Sequence, residues 1–324
     1  MLLPDHRTGG RPGPPTERTH TGGFDAGDRS AIVSPGMIGR ELELAALRTA
    51  LSDPPVIVLV EGEAGIGKSR LVQELLAART AARRQVLLAT CPAFRQPFTF
   101  GPVVDAIRAA TEDVVGLGLS GLAGELRPLF PEWASALPPP PEPAEDAAAA
   151  RHRLFRALDE ILERLDIGLL VVEEVHWADE ATLEFLLYLA SGPRQRVSLL
   201  VTYRSEEIAL QSLLLRLSSR QSAGTARLRL SLEPLDVVGT AEMVSSMLGG
   251  ERVSDDFAIF LQERTDGLPL AIEESVWLMW DRGDLIRRGN SWVRHRLSEI
   301  DVPPTVRDGV LEHSARLIDN EAET

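Results

Sequence analysis

Four residues in the stretch VEGEAGIGKSR have a spacing with chemical meaning: Gly62, Gly67, Lys68 and Ser69, in the pattern G-x-x-x-x-G-K-S. Glycines let a backbone take positive φ and come close to an anion. The N–H groups of such a loop converge on phosphate oxygens at the positive end of the helix that follows. Here the cradle would be Gly62, Glu63, Ala64, Gly65, Ile66, Gly67, Lys68, Ser69 and Arg70. An ammonium at Lys68 would reach the β- and γ-phosphates of a nucleotide, and the Ser69 hydroxyl could ligate Mg²⁺. Lys68 is the only lysine in the chain; the other 33 of its 34 basic residues are arginine. Arginine's planar fork suits bidentate recognition, whereas a tight loop needs a compact point charge.

A phosphate site with a metal also needs a carboxylate, and in a parallel sheet it belongs at the C-terminal end of a nearby strand. LLVVEEVHWAD supplies two, Glu173 and Glu174, after the apolar run Leu169 to Val172. Glu173 is expected to face Mg²⁺, mostly through water, and Glu174 to orient or deprotonate an attacking water. The alternative is a pair of solvated surface glutamates.

The elements that would hold these groups can be read from the pattern. PPVIVLVEG, QVLLATC, IGLLVVEE and RVSLLVTYR are short apolar runs, which predict strands buried on both faces of a parallel sheet, with ARLRLSLEPL as a fifth strand. MIGRELELAALRTAL, with Leu42, Leu44, Leu47 and Leu51 at helical spacing, predicts a helix; so do SRLVQELLAART, FGPVVDAIRAA, RHRLFRALDEILERL and EATLEFLLYLA. Strands alternating with helices predict an α/β parallel sheet. LPPPPEPAED predicts an extended loop. After about Leu235 helices dominate, in VVGTAEMVSSML, DDFAIFLQERT and LPLAIEESVWLMW, with a small hairpin around Gly289-Asn290 and another helix-like segment, TVRDGVLEHSARLI. The expected organisation is a disordered Gly- and Pro-rich tail over 1–34, a nucleotide-binding domain over 35–235, and a helical region over 236–324.

Bulk composition narrows the function further. Forty-four per cent hydrophobic and 25% charged residues describe an ordinary globular chain, long enough for a sizeable core. A net charge of −14 argues against nucleic-acid binding by general electrostatics. A single cysteine, Cys91, allows no intrachain disulfide and disfavours structural zinc. No apolar run has the length of a signal peptide or membrane span, so a cytoplasmic protein is expected.

GEAGIGKSRL together with LLVVEEVHWADEATLEFL resembles the STAND class of AAA-like P-loop ATPases. It is similar in particular to the ATPase module of large LuxR-type, MalT-like transcriptional regulators (the LAL group) and related bacterial signalling ATPases, over roughly residues 36–315. That resemblance implies a three-layer P-loop NTPase fold with a mostly parallel central sheet, a smaller helical lid domain and the start of a winged-helix-like segment. It also implies ATP or ADP with Mg²⁺ as ligands. Gly39, Arg40 and Glu41 match a motif near the nucleotide base. Thr202 and Arg204 match the end of a sensor strand, with Arg204 sensing the γ-phosphate. Gly267 and Pro269 match a lid turn that closes over the nucleotide. His176 and Trp177 match the HWAD signature, as a supporting hydrogen bond and a packed ring. The chain departs from the family in having Glu173 where aspartate is usual, which bears on hydrolysis. It also shows neither a long helical-repeat region nor a helix-turn-helix before Thr324.

The reading these residues give is an ATP-binding regulatory switch with slow, Mg²⁺-dependent hydrolysis, carried by Lys68, Glu174 and Arg204. A P-loop kinase and a non-hydrolysing interaction module are the alternatives. A GTPase is disfavoured, because an N-K-x-D motif cannot exist in a chain whose one lysine is in the loop. Self-association is a further expectation, with Arg194 and Arg196 as candidate fingers into a neighbour's site. No membrane or direct nucleic-acid partner is expected.

Overall fold

A computed structural model describes residues 36–78, 84–93, 98–191, 195–207, 226–288 and 291–294. The tail over 1–34, the Gly289-Asn290 turn, Arg194 and the segment TVRDGVLEHSARLI lie outside the described residues.

Five parallel strands form the central sheet: β1 (Val56–Glu61), β2 (Gln85–Thr90), β3 (Ile167–Glu173), β4 (Ser198–Tyr203) and β5 (Ala226–Ser231). Their order is β2-β3-β4-β1-β5. This is the expected α/β fold. Every residue of β1 and β4 is buried, as their unbroken apolar runs predict. Side chains alternate across the sheet. In β1, Ile57 and Leu59 join one core, while Val56, Val58 and Val60 join the core on the other face.

Helices α1 (Glu41–Ala50) and α2 (Lys68–Ala77) cover the second face. Helices α3 (Gly101–Ala110), α4 (Ala147–Arg164) and α5 (Glu180–Ser191) cover the first. Asp146 begins α4 by accepting the Ala149 N–H at 2.7 Å, so the helix starts earlier than its amphipathic pattern alone shows. Between α3 and α4, two short 3₁₀ turns bury Leu126, Phe130 and Trp133, and the Phe130 and Trp133 rings stack at 4.5 Å.

Two expectations need correction. QVLLATC is not a strand buried on both faces: β2 is at the sheet edge, and Leu88 is exposed. An edge strand has one neighbour, and its outer residues have nothing to pack against. In α1, Leu44, Leu47 and Leu51 are buried, but Leu42 is exposed, because it falls outside the stripe that faces the sheet.

After Leu235 come α6 (Val237–Met247), a two-residue strand β6 (Arg252–Val253), α7 (Asp255–Thr265), α8 (Pro269–Asp281) and the antiparallel pair β7 (Leu285–Arg288) and β8 (Ser291–Arg294). They enclose their own core, with Val244, Met247, Leu261, Ile272, Val276 and Met279. Ser254 begins α7 by accepting the Phe257 N–H, and Pro269 occupies the first turn of α8.

Gly267 fixes how this unit meets the sheet. Its φ is +72°, its carbonyl accepts the Leu235 N–H at 2.9 Å, and a Cβ there would fall 2.1 Å from the Leu235 carbonyl oxygen. No side chain fits without moving the backbone. Gly267→Ala is expected to destabilise the chain by about 1–3 kcal/mol. The shift would appear as a lower midpoint in urea unfolding.

Candidate functional site

The C-terminal ends of β1, β3 and β4 lie side by side, where ligands bind in open parallel sheets. The segment 62–67 follows β1, and α2 begins at Lys68. Gly62, Gly65 and Gly67 all have positive φ. The loop is held from above by the start of α8: the Leu270 N–H donates to the Gly65 carbonyl at 3.2 Å, and a Cβ on Gly65 would meet the Leu270 Cβ at 3.0 Å.

Lys68 is almost fully buried. Its Nζ donates to the Gly62 carbonyl at 2.8 Å and the Glu63 carbonyl at 3.0 Å, and lies 3.8 Å from Glu174 Oε1. Burial holds its pKa below the ordinary lysine value, and the Glu174 carboxylate opposes that shift. An ammonium held by two loop carbonyls has a third N–H, and the loop fixes where it sits.

β3 ends at Glu173, which is buried, and its Oε1 has no hydrogen-bond partner among the described residues. Glu174 has left-handed φ of +54°, held by its N–H donating to Thr202 Oγ1 at 3.0 Å on β4. A positive φ at a non-glycine residue is uncommon and persists where the surroundings enforce it. Glu174 Oε2 lies 3.3 Å from Arg204 Nε and 3.3 Å from His176 Nε2. Arg204 Nη1 also donates to Glu207 Oε1 at 2.7 Å.

His176 is buried, and its Nδ1 accepts the Arg204 backbone N–H at 3.4 Å. That leaves the single imidazole proton on Nε2, so the ring is neutral. Burial, with Arg204 and Lys68 nearby, pushes its pKa down to about 3. The Glu174 and Glu207 carboxylates beside Nε2 work the other way; the acceptor role of Nδ1 decides for the neutral form. Unfolded, the same ring titrates near 6.5. Its neutral form therefore stabilises the fold fully above about pH 6.5, and that contribution is lost as pH falls toward 3. Urea midpoints measured at neutral and mildly acidic pH should fall less steeply for His176→Gln than for wild type.

A cavity of about 300 Å³ opens between the loop and the helical unit. Its lining includes Gly65, Gly67, Lys68 and Ser69 of the loop and the apolar side chains of Met37, Ile38, Leu235 and Met243. Ile66, Arg70, Arg40, Glu174 and Pro269 also line it. Most of the sequence-derived site thus converges on one cavity. Gly62 and Glu63 contribute carbonyls to Lys68, while Glu173 and Arg204 sit beside Glu174; neither they nor Ala64 line it. Gly39 lies against Leu235 outside the lining, and Arg40, which lines the cavity, donates to the Glu233 carbonyl and to Glu43. Arg196, a candidate finger, pairs with Glu163 of its own chain at the opposite end of β4.

Some contributors were not singled out from the sequence. Glu207 lies three residues after Arg204, a spacing that brings side chains together in a turn, and that spacing was the available signal. Asp179 of HWAD accepts the N–H groups of Phe100 and Thr182, joining α3 to the start of α5. Glu61, just before the loop, is clasped by Arg229 and by the Tyr203 hydroxyl. Burial works to raise the Glu61 pKa, and these bonds more than reverse it. Cys91 is buried, with its thiol pushed up to about 12, and is no nucleophile.

A glycine loop ending in Lys-Ser, set between strand β1 of a parallel five-stranded sheet and a helix, defines a P-loop NTPase. Within that class, the chain belongs to the AAA ATPase domain family, whose profile matches residues 37–202. Over 274 residues it is 27% identical to an uncharacterised protein of Rhizobium meliloti (strain 1021), a match covering 74% of this chain and 24% of that one. The chain thus spans about a quarter of that relative's length. Its fold is similar to that of Cdc6p from Pyrobaculum aerophilum (14% identity, TM-score 0.49, covering 78% of this chain and 65% of that one). It is also similar to the RuvB Holliday junction branch migration motor of Thermotoga maritima (17%, 0.42, 74% and 61%) and to AMPPCP-bound DnaA from Aquifex aeolicus (15%, 0.41, 74% and 61%).

Proposed function

We propose that this chain is an ATP-binding regulatory switch that hydrolyses ATP slowly with Mg²⁺. The observation that carries the reading is the buried Lys68, held by its own loop at a cavity lined by that loop and by apolar side chains. Phosphates would take the loop N–H groups and the third Lys68 N–H, and the base would pack against the apolar lining.

The residues present fit a metal. Among the described residues the buried Glu173 Oε1 has no hydrogen-bond partner, and the exposed Ser69 lines the cavity. Among the described residues no cluster of three or more His, Cys, Asp or Glu could hold an ion by itself. That suits Mg²⁺, which keeps several waters and binds through one or two protein groups plus phosphate oxygens. Bound there, the ion would neutralise charge developing on the phosphates. Glu174 would accept a proton from the attacking water once its carboxylate is released from Arg204.

The switch part of the reading rests on α8, whose first residues touch the phosphate loop. The helical unit would move as a lid when the occupant of the loop changes. A role in signalling or transcription rests on the resemblance to STAND regulators and LuxR-type ATPase modules. Among the described residues no helix is long and apolar enough to cross a membrane. Calorimetric titration with Mg²⁺-ATP and Mg²⁺-ADP, coupled to a phosphate-release assay, tests the proposal. One saturable site and slow release are expected; no saturation by either nucleotide would overturn it.

A further inference from the structure

Three buried atoms meet beside the loop: Glu174 Oε2, His176 Nε2 and Arg204 Nε. The first lies 3.3 Å from each of the others, yet none of the three has a satisfied hydrogen bond among the described residues. Unsatisfied buried polar atoms are costly, and hydrogen bonds at catalytic sites often tighten only when substrate arrives. The group that links them all is His176. Its ring is fixed on one side by the Arg204 N–H on Nδ1 and on another by Trp177, whose ring centroid is 5.4 Å away. Its one proton, on Nε2, faces two acceptors at nearly equal distance, Glu174 Oε2 at 3.3 Å and Glu207 Oε2 at 3.4 Å. Glu207 in turn holds Arg204, by an ion pair at 2.7 Å and by its own N–H to the Arg204 carbonyl at 3.3 Å.

We infer that His176 is a positioning residue for Glu174, and that it makes the aim of that carboxylate depend on the end of β4. The imidazole reads the backbone of Arg204 with one nitrogen and hands a hydrogen bond to Glu174 or Glu207 with the other. With the proton shared toward Glu174, the carboxylate is held against Arg204 and away from water. When Arg204 turns to a γ-phosphate, Glu207 loses its cation and accepts the hydrogen bond from the His176 Nε2–H, which stays on the ring, and Glu174 is freed to face water. His176 touches neither nucleotide nor water in this scheme. The inference rests on the proposed hydrolysis at Glu174.

The test uses three variants of the whole chain, because the two imidazole nitrogens can be mimicked separately. Glutamine reaches as far as Nε2 and keeps a donor there. Asparagine keeps an acceptor near the Nδ1 position but is too short for the carboxylates. Alanine keeps neither. Phosphate release is expected to fall about 10- to 100-fold in His176→Ala and His176→Asn, and less than about threefold in His176→Gln. ATP affinity should stay within about twofold in all three, since the phosphate loop is untouched. Equal loss in the Asn and Gln variants, or parallel loss of affinity and turnover, would overturn the positioning role. So would full turnover in His176→Ala. A wild-type chain that binds ATP without releasing phosphate would instead refute the hydrolysis reading, and the inference with it.

Discussion

Replacing Lys68 with alanine is expected to weaken Mg²⁺-ATP binding by roughly 30- to several-thousand-fold while leaving the fold intact. The side chain is buried with its ammonium on two loop carbonyls and near Glu174. Opposite a bound triphosphate it becomes one partner of a desolvated, hydrogen-bonded ion pair. Truncating one side of such a pair costs about 2–5 kcal/mol, much of it from the charge left unpaired. In the free chain the loss is smaller, because neutral carbonyls are the main partners. Affinity should therefore fall far more than the unfolding midpoint. Arginine should not restore it: its larger planar head cannot take the same place between the Gly62 and Glu63 carbonyls. Titration of wild type, Lys68→Ala and Lys68→Arg, with urea unfolding of each, checks this result.

The second large effect is on turnover alone. Glu174→Gln is expected to lower phosphate release by about 10²- to 10⁴-fold, the range for loss of a general base. The amide has nearly the same shape and keeps the left-handed backbone, which depends on the Thr202 hydroxyl and not on the carboxylate. ATP affinity should hold or improve. The reason is electrostatic: removing the charge near Lys68 takes away a competitor for the ammonium. Retained turnover in this variant would move the base elsewhere, and Glu173 would be next to examine. A joint fall of affinity and turnover would mean that Glu174 builds the site and does not act in it.

Much of the sheet could be read from the chain because its strands are short unbroken apolar runs. β1 and β4 have neighbours on both sides and helices on both faces, so nearly every side chain must be apolar. The edge position of β2 could not be read: QVLLATC shows no clear alternation, and only strand order reveals that Leu88 faces outward. Gly267 and Pro269 were legible as a turn before a helix. The contact they serve was not, since Leu270 touching Gly65 depends on how α8 settles over the loop. The loop itself was the most legible part, because its glycines, lysine and serine do their work locally.

Pairings among charged groups were the least legible. Glu174, His176, Arg204 and Glu207 come from the ends of two neighbouring strands, and only the register of the sheet brings them together. Arg40 lines the cavity, but its hydrogen bonds to the Glu233 carbonyl and to Glu43 could not be read from its Gly-Arg-Glu motif. Long side chains have several partners within reach, and sequence spacing alone does not choose among them.

The single lysine makes the central claim open to one direct measurement. Acetylation by a small reagent can modify only Lys68 and the N-terminal amine, so the second amine serves as an internal reference within the same molecule. Mass spectrometry with and without Mg²⁺-ATP would give the ratio of the two products. Strong suppression of Lys68 acetylation by ATP, with the N-terminal amine unchanged, is the predicted result. An unchanged ratio at saturating ATP would contradict the placement of the phosphates at Lys68.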